Sequence, residues 1–192
     1  MIAYKGLNRD MVASMGRGNR VLSVGVRYRE EFSKTARNGW HCTENPFACL
    51  SYFPLGQGNR YFQVEAAGSI DEDDRERIAC TELTLLRELT VRELAWYGIA
   101  WIATHPNREH WECRGAHIEV GPDTARAAQA GDIAIARGPH PVVRGAAGSI
   151  LGLILEPEPG EITGAKLFTV SESQAGRRYT LGSSRTLQEV TR

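Results

Sequence analysis

Apolar positions in this chain come in short alternating runs, broken by glycine, proline and clusters of charge. That period of two predicts strands more often than helices. IAYKGL (2–7) predicts a first strand that stops at a glycine, and the polar, Gly-rich stretch 8–20 a loop. RVLSVGVRY (20–28) predicts a strand with Val24, Val26 and Tyr28 on its buried face. YFQVEAAGSI (61–70) alternates Phe62, Val64 and Ala66 against Tyr61, Gln63 and Glu65, and IACTELTLLREL (78–89) predicts a second long strand. The period then changes. TVRELAWYGIAWIA (90–103) has Leu94, Tyr97, Trp101 and Ile102 at helical spacing, and Thr90 with Glu93 forms a capping box that satisfies first-turn amides.

Between the strands lies GWHCTENPFACLSYF (39–53). Asn45 is a good N-cap and Pro46 suits the first helical position, so a short helix is expected from Pro46 toward Phe53. GWHCT before it is then a strand end, with His41 and Thr43 on one side and Trp40 and Cys42 on the other. Further on, Gly131, Gly138, Gly145 and Gly152 recur every seven residues among small and β-branched residues. Glycine at a fixed short period predicts the corners of a β-roll or β-solenoid. AKLFTVS (165–171) and RRYTLGS (177–183) predict a closing strand pair. The expected class is α+β: a mixed or antiparallel sheet with few short helices over 1–104, a connecting loop over 105–124, and a Gly/Ala-rich β segment over 125–192.

Composition narrows the function classes. Of 192 residues, 42% are hydrophobic and 24% charged, as in ordinary globular proteins. No apolar run nears the roughly 18 residues that span a bilayer, and the start lacks the pattern of a signal peptide, so a cytoplasmic location without membrane partners is expected. The net charge is +0, which argues against nucleic acid as a partner. The basic residues are nearly all arginine, with lysine only at positions 5, 34 and 166. Cys42, Cys49, Cys80 and Cys113 form no CxxC pair and are expected as small buried hydrophobes.

Few motifs carry chemistry. His41 and Thr43 are candidates for the wall of a cleft at the strand's end. His105, His110, Cys113 and His117 offer nitrogen and sulfur ligands in one loop, a weak zinc candidate beside the expectation of a solvated loop. Asp71, Glu72, Asp73 and Asp74 are expected as a solvated, self-repelling turn. GxSxG, Walker and strand-bound GxGxxG signatures are absent from the sequence.

The order Tyr-Lys-Gly on a first strand, then Gly-aromatic-His-x-Thr leading to a helix that ends in Tyr, resembles the outline of ADP-ribosyltransferase-type folds. That resemblance implies a NAD cleft with Tyr4 and Lys5 at the first motif, where the family carries Arg or His, and His41, Thr43 and Tyr52 at the second. Glu82 or Glu65 are the catalytic candidates for the third. Over nearly the whole chain, AYKGL, GWHCTENPFACLSYFP, NRYFQVEAAGSI and GAAGSILGLILE resemble an uncharacterised domain family of phage and prophage genomes. Together these imply a phage accessory protein, host-modulating or anti-defence, in the host cytoplasm. It would bind a nucleotide-type ligand such as a NAD-derived or cyclic nucleotide signal. The alternatives are an ADP-ribosyltransferase or other NAD-consuming enzyme, and an oligomeric structural or interaction module. Its partner would be that nucleotide or a host protein, with homo-oligomers formed through the Gly/Ala-rich segment.

Overall fold

The computed structural model describes residues 1–13, 19–73, 76–182 and 184–190. The chain forms two compact units, Met1–Leu94 and Ala95–Arg192.

The first unit is built from β1 (Ile2–Leu7), β2 (Val12–Ala13), β3 (Arg20–Val21), β4 (Arg27–Arg29), β5 (Trp40–Thr43), β6 (Arg60–Glu72) and β7 (Arg77–Leu89). The alternation in 61–70 and 78–89 gives two strands of 13 residues each, paired antiparallel as a long hairpin. Their register shifts between Ala67 and Ile70, where Gly68 takes φ +76°, so the ribbon bends. The bend matters for topology. β1 pairs with both β5 and β6, and β7 also pairs with both, so four strands close a ring. Ring closure removes exposed edges. β4 adds to β7 outside it. Ala3, Leu7, Trp40, Phe62, Leu83 and Leu85 fill the core of this unit. Fully burying a side chain such as Leu7 or Phe62 contributes about 1.5–3 kcal/mol each.

Helix α1 (Val91–Thr104) starts in the first unit and ends in the second. Its capping box forms as the sequence predicts: Thr90 N–H donates to Glu93 Oε2 at 2.8 Å, and Glu93 N–H donates to Thr90 Oγ1 at 3.2 Å.

The second unit continues with β8 (Cys113–Gly115), β9 (Ile118–Ala127), β10 (Ile133–Gly145), β11 (Ile150–Leu155), β12 (Gly164–Thr169), β13 (Arg178–Leu181) and β14 (Leu187–Glu189). β9, β10 and β11 stack parallel with Ile118, Ile133 and Ile150 in register, steps of 15 and 17 residues. β10 bends between Arg137 and Val142, and its second arm pairs with Thr124–Ala127 of β9 and antiparallel with β13. Ala134, Ala136, Val143, Leu151 and Leu153 form the core beneath. Arg137 is buried, with Nε donating to Glu156 at 2.6 Å, Nη2 donating to the Pro106 carbonyl at 2.6 Å, and Trp111 over the guanidinium.

Several expectations are corrected here. The α+β class with an ADP-ribosyltransferase-type outline is not the fold. About half of the chain is strand, against one α-helix and two short 3₁₀ helices among the described residues. The physical reason is the closed pairing of β1, β5, β6 and β7, which completes the first unit without layered helices. RVLSVGVRY does not form one strand with a buried valine face: Val24 and Val26 are 50% and 44% exposed, and Gly25 at φ +81° breaks the run. The connecting loop expected over 105–124 carries β8 and the first arm of β9. Seven is not the structural repeat, since the parallel strands recur at 15 and 17 residues.

Candidate functional site

Registered pairing between β1 and β5 is limited to Tyr4 with Thr43. A cavity of about 590 Å³ lies where these two strands meet the 3₁₀ helix Pro46–Ser51. That volume is in the usual range for small-molecule sites, roughly 300–1,000 Å³. The short helix is set by local grammar. Asn45 Oδ1 accepts from Phe47 N–H at 3.0 Å, Pro46 supplies the first-turn φ, and Phe47 and Leu50 are buried. Its end delivers Tyr52 and Phe53 to the cavity. The Phe53 carbonyl is held by the Tyr61 hydroxyl at 2.7 Å, and Gly6 leaves room for the Phe53 ring, which would lie 2.5 Å from a Cβ there.

All five residues expected to bind ligand, Tyr4, Lys5, His41, Thr43 and Tyr52, line this cavity. Their polar atoms differ in what they have left to offer. Lys5 shares the core-facing side of β1 with Ala3 and Leu7 and is only 8% exposed. Its Nζ donates to the His41 carbonyl at 2.6 Å. Burial pushes the ammonium pKa down against a weaker opposing pull from the thiols of Cys42, Cys49 and Cys80. His41 is committed at both ring nitrogens. Nδ1 lies 3.1 Å from the Gly39 carbonyl and so carries the hydrogen, while Nε2 accepts from Ala36 N–H at 3.0 Å. Burial, then the charge of Lys5, lowers its pKa. Thr43 Oγ1 donates to the Asn45 carbonyl at 3.3 Å. Tyr52 is 63% exposed, and its hydroxyl accepts from Arg77 Nη1 at 3.5 Å.

Two further residues of the wall bear on its chemistry. Trp40 is buried, with an indole N–H that meets no acceptor among the described residues. Arg77 registers opposite Thr43 and keeps Nε on Asp73 at 2.6 Å. Among the described residues lining the cavity, none is Asp or Glu. The described lining residues therefore present N–H donors, a guanidinium and aromatic faces, without a carboxylate among them.

A family model described as "Domain of unknown function (DUF7666)" matches residues 1–96. The chain belongs to the DUF7666 family. No curated protein and no solved structure matches it. Every residue found lining the cavity falls inside the DUF7666 span. Three DUF7666 cysteines, Cys42, Cys49 and Cys80, are buried free thiols. Burial pushes Cys49 up to about 12, and the bond of the Cys42 thiol to Cys80, together with burial, raises Cys42.

The structure places the two catalytic candidates elsewhere. Glu65 accepts from Arg27 at 2.9 Å, while Glu82 lies 3.4 Å from Arg27 and 3.3 Å from Arg29, and neither lines the cavity. The weak metal candidates do not converge. His105 stacks on Trp101 with its Nδ1 3.0 Å from the Trp101 carbonyl, His110 sits at φ +59°, and Cys113 lies in β8. His117 Nδ1 lies 2.9 Å from buried Asp132. Among the described residues, no group of three or more His, Cys, Asp or Glu is arranged to hold a metal ion. The acidic run 71–74 is also not a self-repelling turn where described. Asp71 accepts from Thr35 N–H at 2.7 Å, from the Thr35 hydroxyl and from Lys34 at 2.9 Å, which holds its pKa well below the usual carboxylate range. Asp73 holds Arg77, and Asp74 lies outside the described residues. Sequence reasoning missed Arg77 because it closes this charged run. The available signal was the length of the β6–β7 hairpin, which brings residue 77 alongside GWHCT.

Proposed function

We propose that the first unit is a small-molecule binding module whose ligand is a nucleotide-type anion held in the 590 Å³ cavity. One observation carries the reading: the cavity wall combines Lys5, Arg77 and aromatic faces with no carboxylate among the described residues. Such a wall favours an anion with a flat apolar part. Phosphate oxygens accept from the guanidinium and from lysine N–H donors, and a base stacks on tyrosine. Catalysis through a carboxylate is the weaker reading, because Glu65 and Glu82 are spent on Arg27 and Arg29 away from the cavity. In the phage or prophage setting that the sequence resembles, the module would act by capturing a host nucleotide signal.

Isothermal titration against AMP, NAD, ADP-ribose and cyclic mono- and dinucleotides tests the reading. One-to-one binding by at least one of them is expected, weakened about tenfold in Arg77→Ala through loss of one charge-assisted contact. Silence across the panel would sink the proposal.

A further inference from the structure

Lys5 is an unusual choice for the inside of a strand ring. It occupies a core-facing position between Ala3 and Leu7, is 8% exposed, and lines the cavity. A buried ammonium is normally neutralised by a carboxylate. Here, among the described residues, its side chain has one hydrogen-bond partner, the neutral His41 carbonyl at 2.6 Å. Its other close ionisable neighbours are thiols and the imidazole of His41. Among the described residues, one carbonyl leaves two of the three ammonium hydrogens without an acceptor, whereas a neutral amine leaves only one and keeps a lone pair. A desolvated lysine in a partly apolar pocket is an arrangement that activates an amine as a nucleophile.

We propose that Lys5 forms a reversible imine with a ligand that carries an aldehyde or ketone together with an anionic group. This rests on the binding reading above and names the chemistry of its ligand: a phosphorylated sugar or nucleotide sugar with an open-chain reducing end. In the step, the Lys5 Nζ lone pair attacks the carbonyl carbon and a C–N bond forms. The carbonyl oxygen takes up a proton, giving a carbinolamine, and the nitrogen loses one. Loss of the hydroxyl as water then leaves C=N, so amine and carbonyl yield imine plus one water with no oxidant or reductant. The phenol of Tyr52 lines the same cavity and is an acid for the departing hydroxyl, since its oxygen accepts from Arg77 while its own hydrogen can be donated. Burial lowers the Lys5 pKa, which raises the fraction of free amine near neutral pH.

The chain has only three lysines, at 5, 34 and 166, so the test maps cleanly. The whole protein is incubated at neutral pH with pyridoxal 5′-phosphate, reduced with cyanoborohydride, and analysed by peptide mass spectrometry. The expected result is adduct at Lys5 forming about tenfold faster than at Lys34 or Lys166, whose amines lack that burial. Lys34 is a fair control, being 59% exposed and paired with Asp71. Adduct only at Lys34, Lys166 or the α-amino group, or even labelling of all amines, would overturn the proposal. Lys5→Met, checked for folding by circular dichroism, should lose the adduct, and the wild-type map decides the matter if that variant does not fold. The two readings fail separately. Nucleotide binding by calorimetry with an unlabelled Lys5 removes the imine alone, whereas a labelled Lys5 that no nucleotide protects removes the nucleotide ligand alone.

Discussion

The imidazole of His41 acts as a strut of the cavity wall, because one nitrogen holds Gly39 and the other holds Ala36. Only the neutral ring can do both. Its folded pKa lies below the ordinary 6.5, so the unfolded chain binds the proton more readily. The stabilisation is therefore fully present above pH 6.5 and is lost as pH falls through the lowered value. Urea melts from pH 8 to 4.5 should show stability declining on the acid side, and His41→Ala should remove part of that slope. At neutral pH the same variant should cost about 1–2 kcal/mol, two exposed or half-buried hydrogen bonds. Gly6 is the second residue with a sharp consequence. A Cβ there would meet the Phe53 ring at 2.5–2.9 Å, so Gly6→Ala should cost about 1–3 kcal/mol by overpacking and narrow the cavity. Tyr4, Lys5, His41, Thr43 and Tyr52 were grouped by resemblance to a transferase outline that the fold does not share; of local signals, only the His41/Thr43 alternation and the Asn-Pro helix start that leads to Tyr52 have a physical counterpart in the cavity wall. What sequence could not show is which polar atoms remain free, since that depends on contacts made by Gly39, Ala36 and Asn45 backbone groups.

At the scale of elements, the strongest local signals became structure. Thr90 and Glu93 cap α1 from both sides, and Arg87 adds to Glu93 at 2.7 Å. Hydrogen bonds from Thr90, then Arg87, hold the Glu93 carboxyl down to about 2. The four glycines at a period of seven show where pattern and cause diverge. Gly131 is open on its Cβ side but sits at φ +82°, whereas a Cβ at Gly152 would strike Ile99 at 2.6 Å and Ile135 at 2.8 Å. One is a turn requirement and the other a packing requirement, so their even spacing is not a structural period. Gly152→Ala should cost about 1–3 kcal/mol in thermal or denaturant melts, against about 1 kcal/mol for Gly131→Ala. RVLSVGVRY was misread because β-branched residues imply a strand only where a partner edge is available. β4 finds β7 only at 27–29, and β3 pairs with the two-residue β2.

At the scale of the whole molecule, the DUF7666 match and the cavity coincide in the first unit, while the second is a parallel stack of bent strands with its own core. Alternation located the strands β1, β6 and β7, but the α+β class expected for the chain did not hold. Alternation did not announce ring closure, which depends on long-range pairings such as Lys5 with Phe62 and Trp40 with Cys80. Among the described residues, no helix is long and apolar enough to cross a membrane. The central claim is that the cavity accepts a nucleotide-type anion, and the Trp40 indole, in the cavity wall, reports on its occupation. In a ¹H–¹⁵N NMR titration with the tightest nucleotide of the calorimetric panel, the Trp40 Nε1–H resonance should shift saturably, while those of Trp96, Trp101 and Trp111 stay in place. Saturable binding that leaves the Trp40 signal unmoved would contradict the account.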